Sequence, residues 1–207
     1  MISQYAMIFT LVSIWFSMGW ALVPLFSSVH FWLKHSDFEV DTDPLPYYPK
    51  VTIVVPAHNE EVVIAQTATA ILNLNYPVDR VEVLLFADNC SDDTYAEMQK
   101  VKALPQFAGR NLTLIDRTGT GGKAGVLNDA LKIATGDYIC VYDSDAMPEQ
   151  NALYFLIKEV VKDPERHVAA FGRNKTRNAG QNFLTRCINQ EIVVTQRVQH
   201  VGMWHLF

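Results

Sequence analysis

VTIVVPAHNEEVVIAQTATAILNL (51–74) opens on a short β-branched run that ends in proline. From Asn59 onward, apolar residues return at helical spacing, so the segment reads as a buried strand followed by a helix with Asn59 as its cap. The alternation then repeats. VEVLLFAD (81–88) reads as a strand, DDTYAEMQKVKAL (92–104) as a helix capped by Ser91, and NLTLID (111–116) as a third strand. GKAGVLNDALKIA (122–134) reads as a helix closed by Gly136, and DYICVYD (137–143) as a fourth strand. Several of these strands are apolar on both faces, as in a parallel sheet covered by helices on each side. The expected class is therefore α/β, doubly wound and mostly parallel. Ligands of such sheets gather at the carboxyl ends of the strands, and here those ends carry acid: Asp88, then Asp143 and Asp145.

Further on, a helix is expected at about 149–162, a short strand at HVAAFG (167–172), and a helix within TRCINQEIVVTQRVQH (185–200). Upstream, residues 1–33 contain no Asp, Glu, Lys or Arg, and roughly 20 apolar residues cross a bilayer as a helix. A transmembrane anchor is the expectation, with a buried helix hairpin of a soluble protein as the alternative. A cleavable signal would carry a basic start and an apolar run of only ~7–15 residues. Trp15 and Trp20 fall inside the span, Trp32 with Lys34 and His35 reads as its interfacial end, and the placement of Lys34 favours a cytoplasmic soluble domain in the plasma membrane. Residues 34–50, KHSDFEVDTDPLPYYPK, mix charge with three prolines and read as a linker. Residues 51–207 are left for the soluble domain.

The chain of 207 residues suffices for one domain with a real core. Its net charge of -5 argues against a nucleic-acid partner, which requires a basic surface. Cys90, Cys140 and Cys187 are scattered and odd in number, which suggests neither a disulfide framework nor a zinc cluster and fits reduced cytosolic thiols.

An Asp-x-Asp that leaves a buried strand can set two carboxylates on one side of a turn, and hard oxygens are what Mg or Mn prefers. An acidic turn, or a helix cap at Asp145, gives the same pattern. GTGGKAG (119–125) is not a Walker loop, because Arg117 stands where that loop needs Gly and Ala124 where it needs Ser or Thr. Nor does it follow the first strand as a dinucleotide fingerprint would.

Four stretches taken in order, IVVPAHNE (53–60), ADNCSDDT (87–94), GTGGKAGVLNDAL (119–131) and YDSDAMP (142–148), resemble the inverting glycosyltransferases of family 2. That group, of GT-A fold, includes cellulose, chitin, hyaluronan and poly-N-acetylglucosamine synthases. The likeness covers about residues 51–150 well and the remainder loosely. It implies that Pro56, Asn59 and Glu60 lie along the nucleotide, that Asp88 reads the uracil and ribose of a UDP-sugar donor, and that Lys123 lies near the nucleotide or the donor phosphates. Asn128 belongs to the same segment as Lys123. The resemblance further implies that Asp143 stands beside the diphosphate while Asp145, with Asp143, holds Mg or Mn. The expected activity is that of an inverting hexosyl- or N-acetylhexosaminyl-transferase acting on a saccharide or lipid acceptor, in cell-surface polysaccharide or glycolipid synthesis. The family's general base comes from a Glu-Asp or Thr-Glu-Asp motif well after Asp-x-Asp, and processive members add Gln-x-x-Arg-Trp. Neither occurs before Phe207, so the catalytic base is unassigned and the chain is expected to be C-terminally truncated, a partial GT-A domain holding the donor half of the site. Two other readings stay open: a sugar-phosphate nucleotidyltransferase, and a noncatalytic membrane module that binds nucleotide or a partner.

Overall fold

The computed structural model describes residues 2–34, 44–172, 174–176 and 178–196. Residues 44–172 form one compact unit, and the described parts of 1–43 and 173–207 form another.

In the larger unit, β1 (Val51–Ala57), β2 (Val81–Asp88), β3 (Asn111–Arg117) and β4 (Tyr138–Val141) form one sheet in the order β3-β2-β1-β4. Every pairing is parallel. Side chains alternate between the two faces of a strand, so β1 and β2 feed two cores. Val51, Ile53, Val55, Val83 and Leu85 pack with α2 (Ile64–Leu72), α3 (Thr94–Lys102) and α5 (Ala152–Lys162). On the opposite face Val54, Leu84 and Phe86 meet Val126 and Ala130 of α4 (Gly122–Ile133). The chain thus steps outward from β1 to β3 with α2 and α3 on one face, then returns across the sheet through α4 to reach β4. This is the doubly wound arrangement, and the reversal beside β1 opens a crevice at the carboxyl ends.

A buried lock closes the opposite end of the sheet. Glu82, 7% exposed, accepts hydrogen bonds from Thr52 Oγ1 at 2.6 Å and from the Thr135 N–H at 2.9 Å. Burial alone would raise this carboxyl, but those bonds, with Lys50 nearby, outweigh it and hold Glu82 below the ordinary value.

Four local expectations are corrected. Asn59 does not cap α2, which starts at Ile64 after Val63; Asn59 sits at φ 55°, outside the extended region a cap needs, and its side-chain oxygen instead accepts the Ser91 N–H at 2.8 Å. Ser91 does not cap α3, because Asp92 Oδ1 takes the Thr94 N–H at 3.1 Å and the helix begins at Thr94. The fourth strand ends at Val141; beyond it only the Tyr142 N–H still reaches β1, donating to the Val54 carbonyl at 3.1 Å. HVAAFG forms no strand. Its apolar residues Val168 and Phe171 are 85% and 76% exposed rather than buried in a sheet.

In the smaller unit, α1 (Ile2–Lys34) contains a stretch, Gln4–Val23, long and apolar enough to cross a membrane. Trp15 and Trp20 project outward from it, and the hydroxyls of Thr10, Ser13 and Ser17 donate to carbonyls four residues earlier. That local pairing is what a polar side chain needs where no water is available. α6 (Phe183–Val194) follows the Asn-rich stretch. Most of the expected linker (35–43), His35, residues 197–207, and the side chains of Trp32 and Lys34 lie outside the described residues.

Candidate functional site

The loops after β1, β2 and β4 and the loop before α4 meet at the carboxyl end of the sheet. The first two are laced together. The Glu60 N–H donates to Thr94 Oγ1 at 2.7 Å, the Glu61 N–H to Asp92 Oδ2 at 3.1 Å, and the Asp93 N–H to Glu61 Oε2 at 2.9 Å. Asn59 and Asn89, at the ends of adjacent strands, are the described non-glycine residues with positive φ, 55° and 51°. Asn tolerates this conformation better than other non-glycine residues. Pro56 is half-buried in β1 opposite Phe86, and the Glu60 side chain makes no hydrogen bond or ion pair with the described residues.

Asp88 ends β2 and is only 5% exposed. Its Oδ1 accepts from Arg117 Nη1 at 2.5 Å and from Asn89 Nδ2 at 3.1 Å. His58 Nδ1 donates to its backbone carbonyl at 2.7 Å. Asp88 Oδ2 takes no hydrogen bond from the described residues, so the buried carboxylate keeps one open acceptor at the end of β2. Burial of a charge demands a partner, and Arg117 is that partner. Sequence reading used Arg117 only to exclude a Walker loop; the signal that finds it is the strand register, which sets Asp88 opposite Arg117. The Arg117 guanidinium is pushed further toward its charged form by hydrogen bonds to Asp129 and then Asp88. Asp129 is held below its ordinary value by Lys132 and then Arg117.

At the other side of β1 the Asp-x-Asp segment makes a turn in which the Ala146 N–H donates to the Asp143 carbonyl at 3.0 Å. Ser144 between the aspartates is buried, and its carbonyl accepts from Thr67 Oγ1 of α2 at 2.7 Å. Asp143 and Asp145 are correspondingly exposed. Asp143 Oδ1 is ion-paired with Lys123 Nζ, which joins the first turn of α4 to this turn. Asp145 has no hydrogen-bond or ion-pair partner among the described residues. Asn128 lies exposed on α4.

With parallel strands ~4.8 Å apart, β2 and β4 run about 10 Å apart on either side of β1. No group of three or more His, Cys, Asp or Glu among the described residues forms a protein-only cation cage. Two exposed carboxylates do fit a hard divalent cation that is also held by substrate phosphates.

Residues 52–206 match the family model Glycosyl transferase family 2. The chain belongs to that family. It is 40% identical over 159 residues to the probable glycosyltransferase YdaM of Bacillus subtilis, covering 77% of this chain and 37% of that protein. It is 35% identical over 145 residues to the beta-monoglucosyldiacylglycerol synthase of Trichormus variabilis, covering 67% and 29%. The match therefore spans 37% of the length of the first relative and 29% of the second. Among solved structures, the mannosyltransferase PcManGT of Pyrobaculum calidifontis, in complex with GDP-Man and Mn2+, matches with a TM-score of 0.55 and 28% identity, over 68% of this chain and 41% of that one. The sheet described above is thus the GT-A type of α/β fold.

Proposed function

We propose that this chain carries the donor half of a metal-dependent, inverting glycosyltransferase site that uses a UDP-sugar, anchored to a membrane by α1. The observation that carries this reading is the pairing of Lys123 with Asp143 in the same crevice as the open acceptor of Asp88. One end suits a nucleoside and the other a diphosphate with its cation. The relative bound to GDP-Man and Mn2+ supports a nucleotide-sugar donor and a divalent ion. The relative that makes a glucosyl diacylglycerol supports a lipid or saccharide hydroxyl as acceptor, hence glycolipid or cell-surface polysaccharide synthesis.

Asp88 Oδ2 accepts a hydrogen bond from the base or ribose, while Pro56, Asn59 and Glu60 line the path of the nucleotide. Asp145 and Asp143 would hold Mg or Mn. When bound, such an ion acts as a Lewis acid on the charge that develops on the leaving diphosphate. The Lys123 ammonium, held beside Asp143, adds positive charge at that same end. Inversion follows if the acceptor hydroxyl attacks from the opposite face of the sugar. The soluble unit lies on the cytoplasmic side in this reading.

Calorimetric titration of the full chain in detergent micelles with UDP, with and without Mn, tests the proposal. Mn-dependent binding is expected, and Asp145→Asn should weaken it at least tenfold while circular dichroism stays unchanged. A folded protein that binds neither UDP nor a nucleotide sugar would overturn the reading.

A further inference from the structure

We infer that Arg117 is a positioning residue that locks the nucleoside end and the phosphate end of the donor crevice into one rigid unit. This rests on the donor-site reading above and extends it to a residue outside the four motif stretches.

The Arg117 side chain is 12% exposed and joins the end of β2 to α4 and the loop before it through one planar group. Nη1 donates to Asp88 Oδ1 at 2.5 Å, Nε to Asp129 Oδ2 at 2.8 Å, and Nη2 to the Thr120 carbonyl at 2.9 Å. Its backbone carbonyl accepts the Asn89 N–H at 2.8 Å. Asn89 in turn clasps Gly119 from both sides, with Nδ2 donating to the Gly119 carbonyl at 2.8 Å and the Gly119 N–H donating to Oδ1 at 3.1 Å. The loop backbone closes directly on the guanidinium: a Cβ at Gly119 or at Gly125 would lie 2.8 Å from its atoms. The loop is therefore shaped around this side chain. Two residues before Gly125, and fixed by the same first turn of α4, stands Lys123 with its bond to Asp143. The contacts run unbroken from Asp88 through Arg117 and the glycine loop to Lys123.

A fork with fixed directions is what three partners in three directions require, and an ammonium cannot reproduce it. Lysine at this position would keep the charge and lose the geometry. A purely local role for Arg117, as the counter-ion of Asp88, predicts damage at the nucleoside end alone; the lock predicts damage at both ends.

The test is titration of the full chain in micelles with UDP and Mn, together with competition by inorganic pyrophosphate and Mn, for wild type, Arg117→Lys, Asp129→Asn and Asp88→Asn. The expected result is that Arg117→Lys weakens both UDP and pyrophosphate about tenfold or more, with an unchanged far-ultraviolet spectrum. Asp88→Asn should weaken UDP and spare pyrophosphate. Asp129→Asn, which leaves the arginine but removes the charge that its Nε pairs with, should weaken both probes several-fold, and it decides the matter if Arg117→Lys does not fold. Wild-type affinity for both probes in the folded variants would reduce Arg117 to a stabilising residue and overturn the inference. Loss of UDP binding with pyrophosphate unchanged would overturn it too, as would wild-type protein that binds UDP but is not competed by pyrophosphate. Wild type that binds no nucleotide overturns the donor-site reading itself, and the inference with it.

Discussion

Gly125→Ala probes the glycine loop most directly. A Cβ at this position would lie 2.3 Å from the Thr120 carbonyl oxygen and 2.8 Å from Arg117 Nη2. Carbon and oxygen meet comfortably at about 3.3 Å, so the Thr120 carbonyl must retreat by about 1 Å, and it is backbone, unable to rotate aside. Overpacking of this kind costs up to ~3 kcal/mol. Alanine in the first turn of a helix returns ~1 kcal/mol of propensity, which leaves a net loss of about 2 kcal/mol. For a unit of this size that corresponds to a fall in Tm of about 4–8 °C. The retreat also pulls Thr120 away from Arg117 Nη2, so affinity for UDP with Mn should fall several-fold. Thermal unfolding by circular dichroism and titration calorimetry on the full chain read the two effects. Gly109→Ala is the matched control, since nothing lies within 4 Å of its new methyl and its φ is not positive. Gly125→Ala with wild-type Tm and affinity would refute the account of the loop.

The depressed Glu82 carboxyl adds stability that is complete above its unfolded value and is lost as pH falls through the folded one. The Tm gap between wild type and Glu82→Ala should accordingly be widest near neutrality and narrow below about pH 4.5; a gap that widens in acid would contradict the lock between Thr52 and Thr135. Burial pushes the Cys140 thiol up to about 11, while Cys187 is exposed, so a maleimide at pH 7.5 should label Cys187 much faster than the half-buried Cys140. Mass spectrometry that finds Cys140 modified as fast as Cys187 in the native protein would count against this difference. Leu85→Ala, at a fully buried position of β2 in the same core as α2 and α3, should cost about 2–5 kcal/mol in urea unfolding. A loss under 1 kcal/mol would mean that this face of the sheet is not the main core.

Sequence periodicity carried the order of elements, the parallel sheet, the long apolar N-terminal helix and the acid at the strand ends. These are local properties: β-branched runs bury on both faces, and alternation with helices forces crossover connections. The placement of Asp88, Asp143 and Asp145 past strand ends was legible for the same reason, since strand ends are where the chain leaves the core, whereas Lys123 of α4 was singled out by the family resemblance. What lay beyond it were partnerships between residues distant along the chain. Asn59 looked like a helix cap because cap preference is local, yet its side chain is spent on Ser91 of the next loop. HVAAFG had the composition of a strand, but a strand exists only where a neighbour supplies hydrogen bonds. Arg117 looked incidental until the register of β2 and β3 set it opposite Asp88 and the return through α4 brought Asp129 and the glycine loop to its other sides. Residue types and spacing determined which groups would stand at the crevice. Only tertiary structure decided how they hold one another, because the energy of a buried ion pair depends on distance and direction in space, and no local preference encodes either.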